Sequence, residues 1–166
     1  MKARHISAGL LVLMVMLACS KQSADELFMK GMTAASDSST FAEAERLLSR
    51  LLKQYPEDQR CDEAMMHLAT IAQNRGNGEE AVRLYEELIA QYPDSDRAYQ
   101  AQFMMGYVYE EMMGDHELAR AAYRKVVENY PDSDLADDAK LSMQNVGKPP
   151  EEWIRFEEAE PSGEAE

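Results

Sequence analysis

Residues 91–96 read QYPDSD, residues 129–134 read NYPDSD and residues 54–59 read QYPEDQ. Their prolines, Pro56, Pro93 and Pro131, stand 37 and 38 residues apart. Self-similarity at a period of about 20–50 residues marks a stacked array of like units. Aligned on the prolines, other positions also recur. Eight residues earlier stand Leu48, Tyr85 and Tyr123, and twelve earlier Ala44, Ala81 and Ala119. Gly31, Ala69 and Gly106 lie 24 or 25 residues earlier, and Cys61, Ala98 and Ala136 lie five residues later.

The pattern inside each unit is helical. EEAVRLYEELIAQY places Ala81, Leu84, Tyr85, Leu88 and Ile89 at helical spacing, as ELARAAYRKVVENY and FAEAERLLSRLLKQY do with their own apolar residues. These are the second, or B, helices. DEAMMHLATIAQN, RAYQAQFMMGYVYEEM and, more weakly, ADELFMKGMTAAS are the first, or A, helices. Gly76, Gly78 and Gly114 in the breaks suit C-cap turns. Proline cannot continue a helix and pushes the residue before it out of the α region, so each B helix ends near Tyr55, Tyr92 or Tyr130. Asp58, Ser95 and Ser133 are then expected to cap the next A helix, with Asp96 and Asp134 in its first turn.

These positions resemble the tetratricopeptide repeat: a small residue in helix A, alanine opening helix B, a large residue four further on, and a closing proline. The resemblance covers residues 25–147 and implies an all-α, right-handed superhelical solenoid of helix-turn-helix repeats, about three repeats plus a capping helix. The units are 25–60, 61–97 and 98–133. Residues 134–147 form an A helix without its B partner, with Asp137, Asp138, Lys140 and Gln144 facing solvent, as a terminal unit requires. The longer unit and its Y-P-D-S corner resemble the BamD-type outer-membrane assembly lipoproteins and the periplasmic repeat domain of the Tol-Pal-associated protein.

The resemblance also implies that the A helices line a concave, partner-binding groove. Its positions carry over to Phe28, Met32 and Ala35, to Met66, Thr70 and Gln73, to Phe103, Tyr107 and Glu110, and to Leu141 and Asn145. The nine methionines beyond the leader are expected in A helices, either filling gaps between A and B or lining the groove with an adaptable surface. Phe103 and Tyr107, one turn apart, suit peptide or helix capture or packing between repeats.

The chain of 166 residues opens differently. Lys2 and Arg4 precede the apolar run ISAGLLVLMVMLA, which is shorter than the roughly 20 residues a spanning helix needs and is laid out as a secretory signal. Met16-Leu17-Ala18-Cys19 resembles a bacterial lipobox. That resemblance implies removal of residues 1–18, lipidation of Cys19, and a short tether over 19–24. Ser20 after the cysteine implies the outer membrane of a Gram-negative bacterium, periplasmic face. The alternative is a plain signal peptide with a chance cysteine.

The net charge is −14, and −16 without Lys2 and Arg4, which argues against nucleic acid or a polybasic contact with anionic lipid. Cys61 fills the small-residue slot of Ala98 and Ala136. With Cys19 lipidated it has no disulfide partner in the chain. His67 falls at a packed position and His116 in a turn, with no metal-binding or nucleophilic motif near either. No catalytic set, cofactor, metal or small-molecule substrate is therefore expected. The tail, 148–166, is acidic and mostly of disordered composition. Trp153, Ile154 and Phe156 are its apolar anchors, for packing on the last repeat or as a linear motif. The function expected is a non-enzymatic scaffold for a protein or peptide partner in the periplasm or outer membrane, in envelope or outer-membrane protein assembly. The alternative is a structural or oligomeric envelope component, or a Tol-Pal or cell-division coordinator.

Overall fold

In the computed structural model, which describes residues 21–149 and residue 152, the proline corners share one geometry. Tyr55, Tyr92 and Tyr130 have φ/ψ of −137°/57°, −130°/58° and −133°/54°. Each tyrosine N–H donates back to the helix, to Leu51, Leu88 or Val126 O. Each tyrosine carbonyl then accepts from the residue three later, Asp58, Ser95 or Ser133. Proline contributes a fixed φ and the missing N–H.

Between the corners run seven α-helices among the described residues: α1 (Ala24–Ala35), α2 (Phe41–Gln54), α3 (Cys61–Asn74), α4 (Gly78–Gln91), α5 (Asp96–Tyr107), α6 (His116–Asn129) and α7 (Ala136–Asn145). Each packs chiefly on the next in sequence, so the fold is an all-helical stack of antiparallel hairpins. The A helices also touch one another, α1 on α3 and α3 on α5, while α2, α4 and α6 make no comparable contact. That asymmetry puts the A helices on the tighter side of the stack.

The core is distributed along the stack. Leu27, Leu47, Leu48, Leu51 and Ala64 join α1, α2 and α3. Tyr85, Leu88, Ala98, Ala101 and Val108 join the middle and third units. Ala119, Tyr123, Val126, Ala139 and Val146 seat the cap on α6. In each unit a small residue of helix A admits a large one of helix B. A Cβ on Gly31 would lie 2.6 Å from Leu48 Cδ2, and one on Gly106 would lie 2.5 Å from Tyr123 Cε1. Cys61, Ala98 and Ala136 are all buried.

The caps depart from expectation at several points. Ser95 does cap α5, its Oγ accepting from Arg97 N–H at 3.0 Å. Asp58 instead holds the turn before α3, accepting from Arg60 N–H and from its guanidinium, because α3 begins only at Cys61. Ser133 Oγ donates back to Tyr130 O, and α7 starts at Ala136, which leaves Asp134 ahead of the helix and puts Asp137 and Asp138 in its first turn. Gly76 and Gly114 take the left-handed φ (78° and 66°) of a helix stop. Gly78 is no C-cap but the first residue of α4, and His116 opens α6 rather than lying in a turn. Asn77 and Asp115 are the B-helix caps, accepting from Glu80 N–H and Leu118 N–H.

The uneven spacing has a local cause. From the small A-helix residue to the B-helix alanine, the outer units (Gly31 to Ala44, Gly106 to Ala119) are one residue longer than the middle one (Ala69 to Ala81). Unit one absorbs the extra residue in a loop with a 3₁₀ turn, Ser38–Thr40. Unit three absorbs it inside the helix, as a π turn over Val108–Met112. Accordingly Asn77 N–H reaches back to Ala72 O, while Asp115 N–H reaches one residue further, to Tyr109 O. Deleting the exposed Glu111 is expected to restore regular α-helix, with a stability change within about 1 kcal/mol in urea denaturation. Deleting Glu86 from α4 turns Leu88 off the core and is expected to cost about 3 kcal/mol or more in the same assay.

Candidate peptide-binding groove

Equivalent side chains along the A helices form rows. The first runs Phe28, Met66, Phe103, Leu141, and its exposure rises along the stack. Phe28 is buried in the first core cluster beneath the Arg60 guanidinium, which lies 5.1 Å from its ring centroid. It offers no surface to a partner, which corrects the expectation for that residue. Met66 and Phe103 are half-buried, and Leu141, on the last helix of the described residues, is 48% exposed.

The second row is Met32, Thr70, Tyr107, Asn145. Met32 is half-buried against the first cluster. Thr70 turns its hydroxyl back onto Met66 O at 2.9 Å. Tyr107 is 42% exposed. In the third row, Gln73 Oε1 accepts from Tyr85 OH at 3.0 Å, and Glu110 Oε2 accepts from Tyr123 OH at 3.3 Å. One contact thus recurs in two units, despite the π turn that carries Glu110. Burial, with the Glu110 carboxylate second, pushes the Tyr123 phenol well above its ordinary range, so it remains a donor. Ala35 has no acceptor to offer, and Leu48 has no hydroxyl to need one.

The third unit and the cap enclose a pocket of about 210 Å³. Phe103, Tyr107 and Glu110 form one wall, Ser142 and Asn145 of α7 the other, and Tyr123 the floor. Phe103 lies on Tyr123 with ring centroids 5.2 Å apart. The volume is below the roughly 300–1,000 Å³ of small-molecule sites and suits one bulky side chain. Of the residues singled out by sequence, Phe103, Tyr107, Glu110 and Asn145 come together here. Met66, Thr70 and Gln73 stand on α3, apart from this pocket. Sequence reasoning missed Ser142, Lys148 and the role of Tyr123 as floor. In sequence Tyr123 is only the recurring large residue of the B helix, and its neighbourhood with Phe103 is a contact between helices.

The methionine pairs are split. Met65 and Met105 are buried and Met66 and Met104 half-buried; Met113 is 43% exposed and lies just past the π turn rather than in a helix. Arginines tie successive units together along the A helices. Arg60 bonds Asp25 at 2.6 Å, and the equivalent Arg97 lies 3.4 Å from Glu63. Leu135 occupies the third such position, so the ladder stops at the cap. Such pairs contribute about 0–1 kcal/mol each and fix register more than stability.

Cys61 is fully buried, its thiol donating to Tyr55 O at 3.2 Å, and burial pushes its pKa up. His67 is lowered by burial, the mark of a packed neutral imidazole. Among the described residues no cluster of His, Cys, Asp and Glu is arranged to hold a metal, and no helix is long and apolar enough to cross a membrane. Cys19, Trp153, Ile154 and Phe156 lie outside the described residues.

No curated protein matches the chain. Profiles of the tetratricopeptide repeat match residues 35–102 and residues 100–133. Together they run unbroken from the end of the first A helix to the last proline corner, across the same helix pairs, small-to-large contacts and repeated bends described above. The chain belongs to the tetratricopeptide repeat proteins, whose repeats are typically non-catalytic modules for protein–protein interaction.

Proposed function

We propose that this protein is a non-enzymatic scaffold that holds a peptide or helix of another protein along its A-helix face. It works while anchored through lipid on Cys19 at the periplasmic face of a Gram-negative outer membrane, in envelope or outer-membrane protein assembly. The observation that carries the binding role is the pocket between α5 and α7. Tyr107 lines a cavity sized for one side chain with its ring half exposed, and α7, which forms the facing wall, also carries the exposed Leu141. Aromatic anchors around such pockets dominate the energetics of protein interfaces. The π turn alongside is a feature frequent at functional sites.

The anchor rests on the sequence before Cys19 and on one dimension. Helix α1 starts at Ala24, five residues after Cys19, so the tether is short and the stack stays near the bilayer. Stable anchoring takes two or more acyl chains at about 0.8 kcal/mol per buried methylene, which lipidation of sulfur and amine supplies.

Tyr107→Glu is expected to cut partner recovery from crosslinked envelopes about thirtyfold, the loss of one hot-spot residue of about 2 kcal/mol. Thermal stability changes by less than about 1 kcal/mol, because the side chain is half in solvent. Undiminished recovery would remove the groove from the account.

A further inference from the structure

The tail leaves the fold at a fixed place. Val146 is buried, and its carbonyl accepts from the Arg120 guanidinium at 2.9 Å. Gly147 then turns the chain with φ 77°, its N–H on Glu110 Oε1 at 3.1 Å. The positive φ favours glycine here, and a Cβ would also have to displace the exposed His116 ring, whose Nδ1 would lie 2.7 Å away. Lys148, the next residue, is itself part of the pocket wall. Glu152 N–H donates to Pro149 O at 3.0 Å, so the tail bends at once instead of running straight out.

Three large apolar residues follow within the next four positions: Trp153, Ile154 and Phe156. Five residues span at most about 17 Å, so Trp153 is tethered beside the pocket whose rim Lys148 forms. Arg155 is the only base from Glu151 to Glu166, and the pocket carries Glu110 and Glu111. Arg155 is the one charge of this segment that complements Glu110 and Glu111; the segment's glutamates are repelled by that edge, so the fit rests on Arg155 and on the apolar residues against the aromatic floor.

We propose that residues 153–156 of this same chain occupy the pocket between α5 and α7, with the Trp153 ring over Tyr123, and compete there with the partner peptide. The inference rests on the groove reading above for its competitive half only; the tail contact stands or falls alone. A tether this short holds the segment at an effective concentration of about 1 mM. An intrinsic affinity of about 0.1 mM then keeps the pocket about 90% filled and lowers apparent partner affinity about tenfold.

Trp153 is the sole tryptophan, so its fluorescence reports the contact directly. In the full chain its emission is expected to be blue-shifted and shielded from acrylamide relative to a free peptide of residues 148–166, independently of protein concentration. Leu141→Asp and Tyr107→Glu, each checked for native helix content by circular dichroism, are expected to return it to the peptide's values. Emission equal to the free peptide's, or unmoved by both variants, overturns the proposal. So does a shift that grows with concentration, because the occupant would then be another copy. Trp153→Ala is expected to raise partner capture about tenfold. A shielded Trp153 with partner capture unchanged in Trp153→Ala upholds the tail contact and counts against the groove as the partner's seat.

Discussion

Tyr85→Ala is expected to destabilise the protein by about 3–5 kcal/mol, the largest loss from a single truncation in this fold. Tyr85 is fully buried at the centre of the stack, where α3, α4 and α5 meet, and its ring fills the slot opened by Ala69. The substitution also strips Gln73 Oε1 of its donor. For a domain of this size the midpoint of thermal unfolding falls by about 10–20 °C. Tyr85→Phe separates the two contributions: it keeps the ring, loses the hydrogen bond and is expected to cost about 1 kcal/mol. Denaturant and thermal melts of both variants check this. A loss below 1 kcal/mol for Tyr85→Ala would mean that neighbouring units do not depend on each other for burial.

Gly106→Leu should abolish cooperative folding, whereas Gly106→Ala should cost about 1–3 kcal/mol. The reason is the approach of the helices. A Cβ at Gly106 meets three Tyr123 ring atoms at 2.5–2.8 Å. The ring is pinned on one side by Phe103 and at its hydroxyl by Glu110, so it yields little. A single methyl is tolerable, because Ala69 occupies the equivalent slot against Tyr85. An isobutyl group forces α5 and α6 apart and, with them, the pocket. Gly31→Ala is the comparison: the atoms met are the end of the flexible Leu48 side chain, so its cost is expected at the lower end of the same range. Circular dichroism and urea melts distinguish these outcomes. A cooperative melt for Gly106→Leu near the wild-type midpoint contradicts the close-approach account.

Helix order, the three corners and the small-to-large pairing were legible in the sequence because they depend on local rules: a proline, an apolar period and a residue without bulk. Three caps were expected on chemistry alone, and only Ser95 serves as its helix's cap. Capping depends on where the helix begins, and the corner adds a further turn before α3 and α7. The one-residue difference between units was visible as a number. Its absorption as a π turn was not, since a loop and a helical bulge are equally compatible with the spacing. Among groove residues the period identifies the face of the helix but not what the next unit lays over it. Phe28 and Leu141 occupy the same register; one is covered by Arg60, and the other lies on the last helix of the described residues and is exposed. The pocket floor was not legible, because Tyr123 reaches it across a helix interface.

The central claim is that the A-helix face at the third unit is where a partner sits. A photo-crosslinking amino acid at position 107 and another at position 83, on the exposed surface of α4 away from that face, test it in intact cells. The account predicts a discrete adduct from position 107 and none from position 83. An adduct from position 83 alone, or from neither, would contradict it.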